Sequence, residues 1–242
     1  MTASPVTGPG AEPGAGPATP LAAGSLTAVC AAREAVRQLH PPSGEYGDSG
    51  IGKLPLGGPA AVGPLGVEGD VIVDIRYHGG PDQAVYAYSD EDADVWVAEL
   101  EREIPPGLFG ENLRVAGVDA TGAVVGERWR VGEPGAGPLL EATSPRTPCA
   151  KFAARMGEPQ WVKRFHAKGL TGTYLRVLEP GTVTAGDPVT VVARPAHGVT
   201  IGRWFREQSP DDARALLDAH AAGEVRLQPV VHAAAVRALQ RA

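Results

Sequence analysis

A chain of 242 residues with 43% hydrophobic and 21% charged residues is long enough to bury an apolar core without disulfides or structural metals. Its net charge of −6 and pI of about 5.5 argue against nucleic acid or an anionic membrane as the main partner. Glycine and proline, at 32 and 23 residues, exclude a largely helical protein, and no stretch is apolar for the roughly 18 residues of a membrane span.

In chain order, residues 1–25 are dominated by Gly, Pro and Ala with Glu12 as their one charge, a composition that predicts a disordered tail. From Leu26 onward, short apolar runs alternate with turn residues. They predict strands over Leu26–Ala31, Val71–Ile75, Ala84–Tyr88, Leu113–Val115, Trp129–Val131, Leu139–Ala142, Tyr174–Leu178 and Val189–Ala193. Ser89 and Asp92 form a capping signal for a helix that carries Val95, Trp96 and Leu100. Helical patterning returns after Cys149, with Phe152 and Met156, and after Pro159, with Trp161 and Phe165. The Arg194–Gly198 stretch reads as a hinge into three short helices. One is capped by Thr200, one opens on Ser209-Pro210-Asp211-Asp212, and one carries Val231, Ala234 and Leu239. The expected architecture is mixed but mainly β: a barrel or sandwich over residues 26–194 with inserted helices, then a helical appendage over 195–242.

Cys149 is the most informative residue. It stands between a strand and a helix in Ser144-Pro145-Arg146-Thr147-Pro148-Cys149-Ala150-Lys151, with cations on both sides. A thiol at a helix start beside Arg146 and Lys151 gains thiolate character, which suits metal ligation or nucleophilic attack. Free cysteine also serves as a small apolar core residue, and Cys30, inside an apolar strand, reads that way. His78-Gly79-Gly80 offers a proton-handling ring on a loop able to present backbone N–H groups, or simply a tight turn. Asn112 brings a donor and an acceptor, and Lys53 and Arg76 are further cations. The histidines show no zinc-ligand spacing, and the two distant cysteines make no scaffold. With no secretory signal at the N-terminus, a reduced, cytoplasmic protein is expected.

Taken in order, Gly50-Ile51-x-Lys53, Leu65-Gly66-Val67-x-Gly69-Asp70, Tyr77-His78-Gly79-Gly80-Pro81-Asp82, Phe109-Gly110-Glu111-Asn112-Leu113 and Ser144-Pro145-Arg146-x-Pro148-Cys149-x-Lys151 resemble the MOSC domain. That family takes its name from the C-terminal region of molybdenum cofactor sulfurases. The helical tail resembles the three-helix appendage of its YiiM-like branch, and the likeness covers about residues 26–240. The resemblance implies a β-barrel in which Cys149 ligates the molybdenum of a pterin cofactor. Lys53, Arg76, Arg146 and Lys151 would balance the cofactor's negative charge, and His78, Gly79, Gly80 and Asn112 would orient cofactor or substrate. It further implies reduction of N-hydroxylated small molecules, N–OH to N–H, with Cys149 and His78 as catalytic residues. Electrons would come from a separate flavin or iron–sulfur protein, because the chain carries neither an iron–sulfur motif nor a nicotinamide fingerprint. Two other readings stay open: molybdenum-independent thiolate or sulfur-carrier chemistry at Cys149, and cofactor binding or delivery without catalysis. Homodimerisation is left open as well.

Overall fold

The structure, a computed structural model, describes residues 21–40, 45–75 and 78–241. Arg76 and residues 1–20 of the expected tail lie outside the described residues. In chain order the strands are β1 (Ala22–Ala31), β2 (Val36–His40), β3 (Glu45–Ser49), β4 (Leu54–Pro55), β5 (Ala60–Gly63), β6 (Gly66–Val67), β7 (Val85–Ser89), β8 (Leu113–Ala116), β9 (Arg128–Val131), β10 (Leu139–Pro145), β11 (Thr173–Glu179), β12 (Gly181–Val183) and β13 (Pro188–Ala193). The helices are α1 (Asp90–Leu100), α2 (Ala150–Met156), α3 (Trp161–Lys168), α4 (Ile201–Glu207), α5 (Pro210–Ala221) and α6 (Pro229–Gln240).

Seven strands run in the order β13-β9-β10-β11-β7-β8-β1, and β1 pairs back onto β13 to close a barrel. Only the β7–β8 pair in this ring is parallel. The interior is filled by alternate side chains such as Leu26, Val115, Trp129, Val131, Leu140, Leu175, Val189 and Val191, all fully buried. Closure rests on Ala22↔Val191, Ala23↔Thr190, Gly24↔Val189 and Ser25↔Pro188. Residues 22–25, expected in the tail, are therefore a working part of the sheet. Their small side chains carry no strand signal, but they suit a seam where a Cβ on Gly24 would come within 2.0 Å of the Ala116 carbonyl oxygen.

Two further expectations are corrected. Val71–Ile75 is not a strand: Val71 N–H bonds to Ala32 O at 2.8 Å, and the rest of the segment runs as irregular loop with Ile75 exposed. Ser89 does stand at the N-cap of α1, but its hydroxyl caps nothing. It donates to Val118 O and accepts from Ala120 N–H, tying β7 to the loop after β8. By contrast, Thr200 and Ser209 cap α4 and α5 as expected, accepting from Arg203 and Asp212 N–H.

The C-terminal helices share the barrel's core, since Trp204, Leu216, Val225, Leu227, Val231 and Ala235 join the same apolar cluster as the barrel interior. The expected hinge is pinned. Arg194 pairs with Glu127 at 2.5 Å, and the His197 ring bonds Val125 O at 2.9 Å. A second, aromatic cluster lies outside the barrel, where Tyr86, Tyr88, Trp96, Phe109, Phe152, Trp161 and Phe165 pack between β7 and helices α1 to α3, many of them edge-to-face and Trp96 stacked on Phe165.

Because Ala22–Gly24 supply closing rungs, deleting residues 2–24 lowers the melting temperature by roughly 5–10 °C. Deletion of residues 2–20 provides the matched control in differential scanning calorimetry. Equal melting temperatures for the two truncations would show that the seam contributes nothing.

Candidate active-site cleft

Strand β10 ends at Pro145, and the chain then steps through Arg146-Thr147-Pro148 to Cys149, the N-cap residue of α2. This step turns Arg146 and Cys149 into a solvent-open cleft between the barrel and the aromatic cluster. The opposite wall is made by Val71–Asp74 with His78 and Gly79, and Lys53, Asp70 and Asn112 also line the cleft.

Cys149 is half-buried, and burial alone would raise its pKa. The hydrogen bond from His78, the Arg146 charge and the Phe152 N–H outweigh that and bring it down to about 7. His78 in turn faces Tyr174, whose hydroxyl lies 3.5 Å from Nδ1. Tyr174 is itself held protonated, because burial drives its pKa up. Cys30 is the opposite case. It is fully buried in β1, and desolvation reinforced by Glu111 pushes its thiol up to about 12.

Arg146 is only 4% exposed. Its guanidinium lies 3.8 Å from the Phe152 ring centroid and 5.7 Å from that of Tyr86, and Nη1 has no hydrogen-bond partner among the described residues. A buried cation with an open donor on a cleft wall fits an anionic group of a ligand.

The other expected residues divide. Lys53 is buried and ion-paired to Asp70. Burial lowers its pKa against the pull of Asp70, so its charge is compensated within the wall. Asn112 lines the cleft, but its amide is committed: Nδ2 donates to Cys30 O and Asp70 Oδ2, and Oδ1 accepts from Tyr86 N–H. These bonds brace the wall. Lys151 lines the mouth with Asp74 at 3.8 Å. Gly79 is in the wall, at φ 79°, where a Cβ would come 2.9 Å from Ile72 Cδ1. Gly80 is not in the wall and instead begins the 3₁₀ turn Pro81–Gln83. Asp70, Gln83, Tyr86 and Tyr174 line the cleft without having been singled out as site residues. Asp70 stood only at the end of the Leu65–Asp70 motif, and Tyr174 only as the start of a strand.

Among the described residues, no three His, Cys, Asp or Glu side chains gather to hold a metal ion. A metal at Cys149 would therefore arrive with its other ligands already attached. A pterin-borne molybdenum fits that description, with Cys149 able to supply a thiolate and Arg146 an open donor for an anionic group.

The barrel and this cleft are those of a MOSC domain. Residues 74–190 match the MOSC domain model, and the chain belongs to that family, which is associated with the molybdenum cofactor. An uncharacterized protein YflK of Bacillus subtilis (strain 168) is 34% identical over 154 residues, covering 64% of this chain and 68% of YflK. Protein YiiM of Escherichia coli (strain K12) is 31% identical over 150 residues, 60% of this chain and 65% of YiiM. A protein named "Reductase" in Gibberella moniliformis is 32% identical over 150 residues, but the match spans only 26% of its length. The crystal structure of YiiM from Geobacillus stearothermophilus superposes with a TM-score of 0.67 at 24% identity, over 89% of this chain and 99% of that one, which establishes the fold. No helix among the described residues is long and apolar enough to cross a membrane.

Alkylation of Cys149 by iodoacetamide, followed by mass spectrometry, is expected to rise with pH through a midpoint of about 7 and then level off. Cys30 stays unmodified over the same range in the folded protein. His78→Ala removes a stabiliser of the thiolate while burial remains, so the midpoint moves upward. A midpoint unmoved in the variant would remove His78 from the thiol's environment.

Proposed function

We propose that the protein is a molybdenum-cofactor-dependent oxidoreductase that reduces N-hydroxylated small molecules from N–OH to N–H. The observation that carries this reading is the adjacency of a thiol titrating at about 7 and a buried arginine with an unpaired donor in one cleft. Family membership and a relative named as a reductase point the same way. When bound, the pterin-held molybdenum would supply the two-electron chemistry that accepts oxygen from the substrate.

The chain's own residues then have separable tasks. Cys149 ligates the metal through its thiolate, and Arg146 meets the cofactor's anionic groups with Lys151 at the mouth. His78, bonded to Cys149 and facing the buried Tyr174 hydroxyl, would hold a proton for the nitrogen that becomes N–H. Lys53, Asp70 and Asn112 keep the inner wall rigid. Electrons come from a separate flavin or iron–sulfur protein, and the site of action is the cytoplasm.

A second reading keeps the thiol and drops the metal. The Cys149–His78 hydrogen bond is also the arrangement of an activated nucleophile, suited to thiolate or sulfur-transfer chemistry. Protein produced in hosts with and without molybdenum cofactor synthesis separates the two. Turnover of an N-hydroxylated base with an artificial reductant is expected only from the cofactor-producing host. Equal turnover from both would favour the thiol. In the same assay Arg146→Gln is expected to lower molybdenum occupancy under limiting cofactor by about tenfold, the scale of a lost charge-assisted hydrogen bond. Wild-type occupancy in that variant would remove Arg146 from the cofactor's contacts.

A further inference from the structure

The loop that carries His78 is held from outside the cleft. Asp82, in the 3₁₀ turn four residues beyond His78, accepts from Arg176 Nε at 2.8 Å and from Arg226 Nη2 at 2.9 Å. Its backbone carbonyl accepts from Thr143 Oγ1 at 2.7 Å. Arg176, buried on β11, uses Nη1 to bond Glu141 Oε1 at 2.6 Å, and the other oxygen of Glu141 accepts from Arg128 Nε at 3.1 Å. Arg226 lies between α5 and α6, and its carbonyl accepts from both Arg176 Nη groups at 3.3 and 3.2 Å. The residues flanking it, Val225 and Leu227, are buried in the shared core, so the segment bearing Arg226 is fixed on both sides.

Between His78 and Asp82 stand Gly79 and Gly80, at φ 79° and 77°, and Pro81. Two consecutive glycines leave the backbone free to pivot, so the position of His78 depends on what grips the loop at either end. At one end His78 N–H bonds Asp74 O at 2.9 Å. At the other the grip is Asp82, and one of its two arginines belongs to the C-terminal appendage.

We propose that the C-terminal helical appendage positions the His78 loop through Asp82, which makes Arg226 a positioning residue for a cleft it does not line. The proposal rests on the reading that His78 serves the chemistry of the cleft, and it adds a reason for the appendage to be joined to the barrel at this point. Arg226 acts by limiting loop motion, and it touches neither ligand nor Cys149.

Hydrogen–deuterium exchange on the full-length protein, read by mass spectrometry without substrate, tests this directly. Arg226 is 62% exposed, so Arg226→Ala leaves the core intact. Peptides covering residues 78–84 are expected to exchange roughly threefold faster, with β9 to β11 at the wild-type rate and Arg226→Lys part-way between. Asp82→Asn keeps the shape while weakening both charge-assisted bonds, and it gives the same local signature. Turnover by Arg226→Ala is expected to fall in kcat with KM little changed, as for a misplaced proton-handling group. Unchanged exchange at 78–84 in both variants, or a rise spread evenly over the molecule, would overturn the proposal. If the wild type turned over no N-hydroxylated compound, the functional reading would fall while the exchange comparison still decided the positioning claim.

Discussion

Arg146 carries a full positive charge into a wall where 4% of its surface meets solvent. Aromatic faces stabilise the guanidinium from the side, but no described residue takes its Nη1 donor. A charge placed this way costs free energy unless something anionic lies against it, and Cys149, whose thiol feels the Arg146 charge, is a group in the same cleft able to become anionic. The thiol gains thiolate character from Arg146, and Arg146 gains a counter-charge from the thiolate. The rest of the cleft is arranged around that mutual dependence.

The surroundings keep the pair in place by two different means. Beneath it, Phe152 and Tyr86 belong to an aromatic cluster anchored on α1 and α3, so Arg146 is set against a close-packed floor. Beside it, polar groups pair among themselves, Lys53 with Asp70 and Asn112 with Asp70, Cys30 and Tyr86. Those pairings compensate the Lys53 charge within the wall, as Asp74 does for Lys151, and leave the buried Arg146 guanidinium beside the thiol.

The barrel was legible where strands carry bulky apolar residues, as in β1, β9 and β13, and where caps are local, as at Thr200 and Ser209. The short strands β4, β5 and β6 lie among Gly and Pro and carry too few bulky apolar residues to register, and the seam at Ala22–Ser25 is written in small residues that also suit a tail. Cys149, Arg146 and His78 could be singled out because a Pro-rich step and paired glycines mark their loops. The true state of Lys53 and Asn112 could not, because it depends on Asp70, which comes close only once the chain has folded. Arg226 left no trace in the sequence, since its contact with Asp82 spans 144 positions.

The account turns on whether Cys149 is a ligand to molybdenum. X-ray absorption at the molybdenum edge, on protein from a cofactor-producing host, counts the sulfur atoms bound to the metal. The wild type is expected to show one sulfur more than Cys149→Ser loaded with the same pterin cofactor. An identical sulfur count in the two proteins would contradict the central claim, leaving Cys149 beside the cofactor without a bond to its metal.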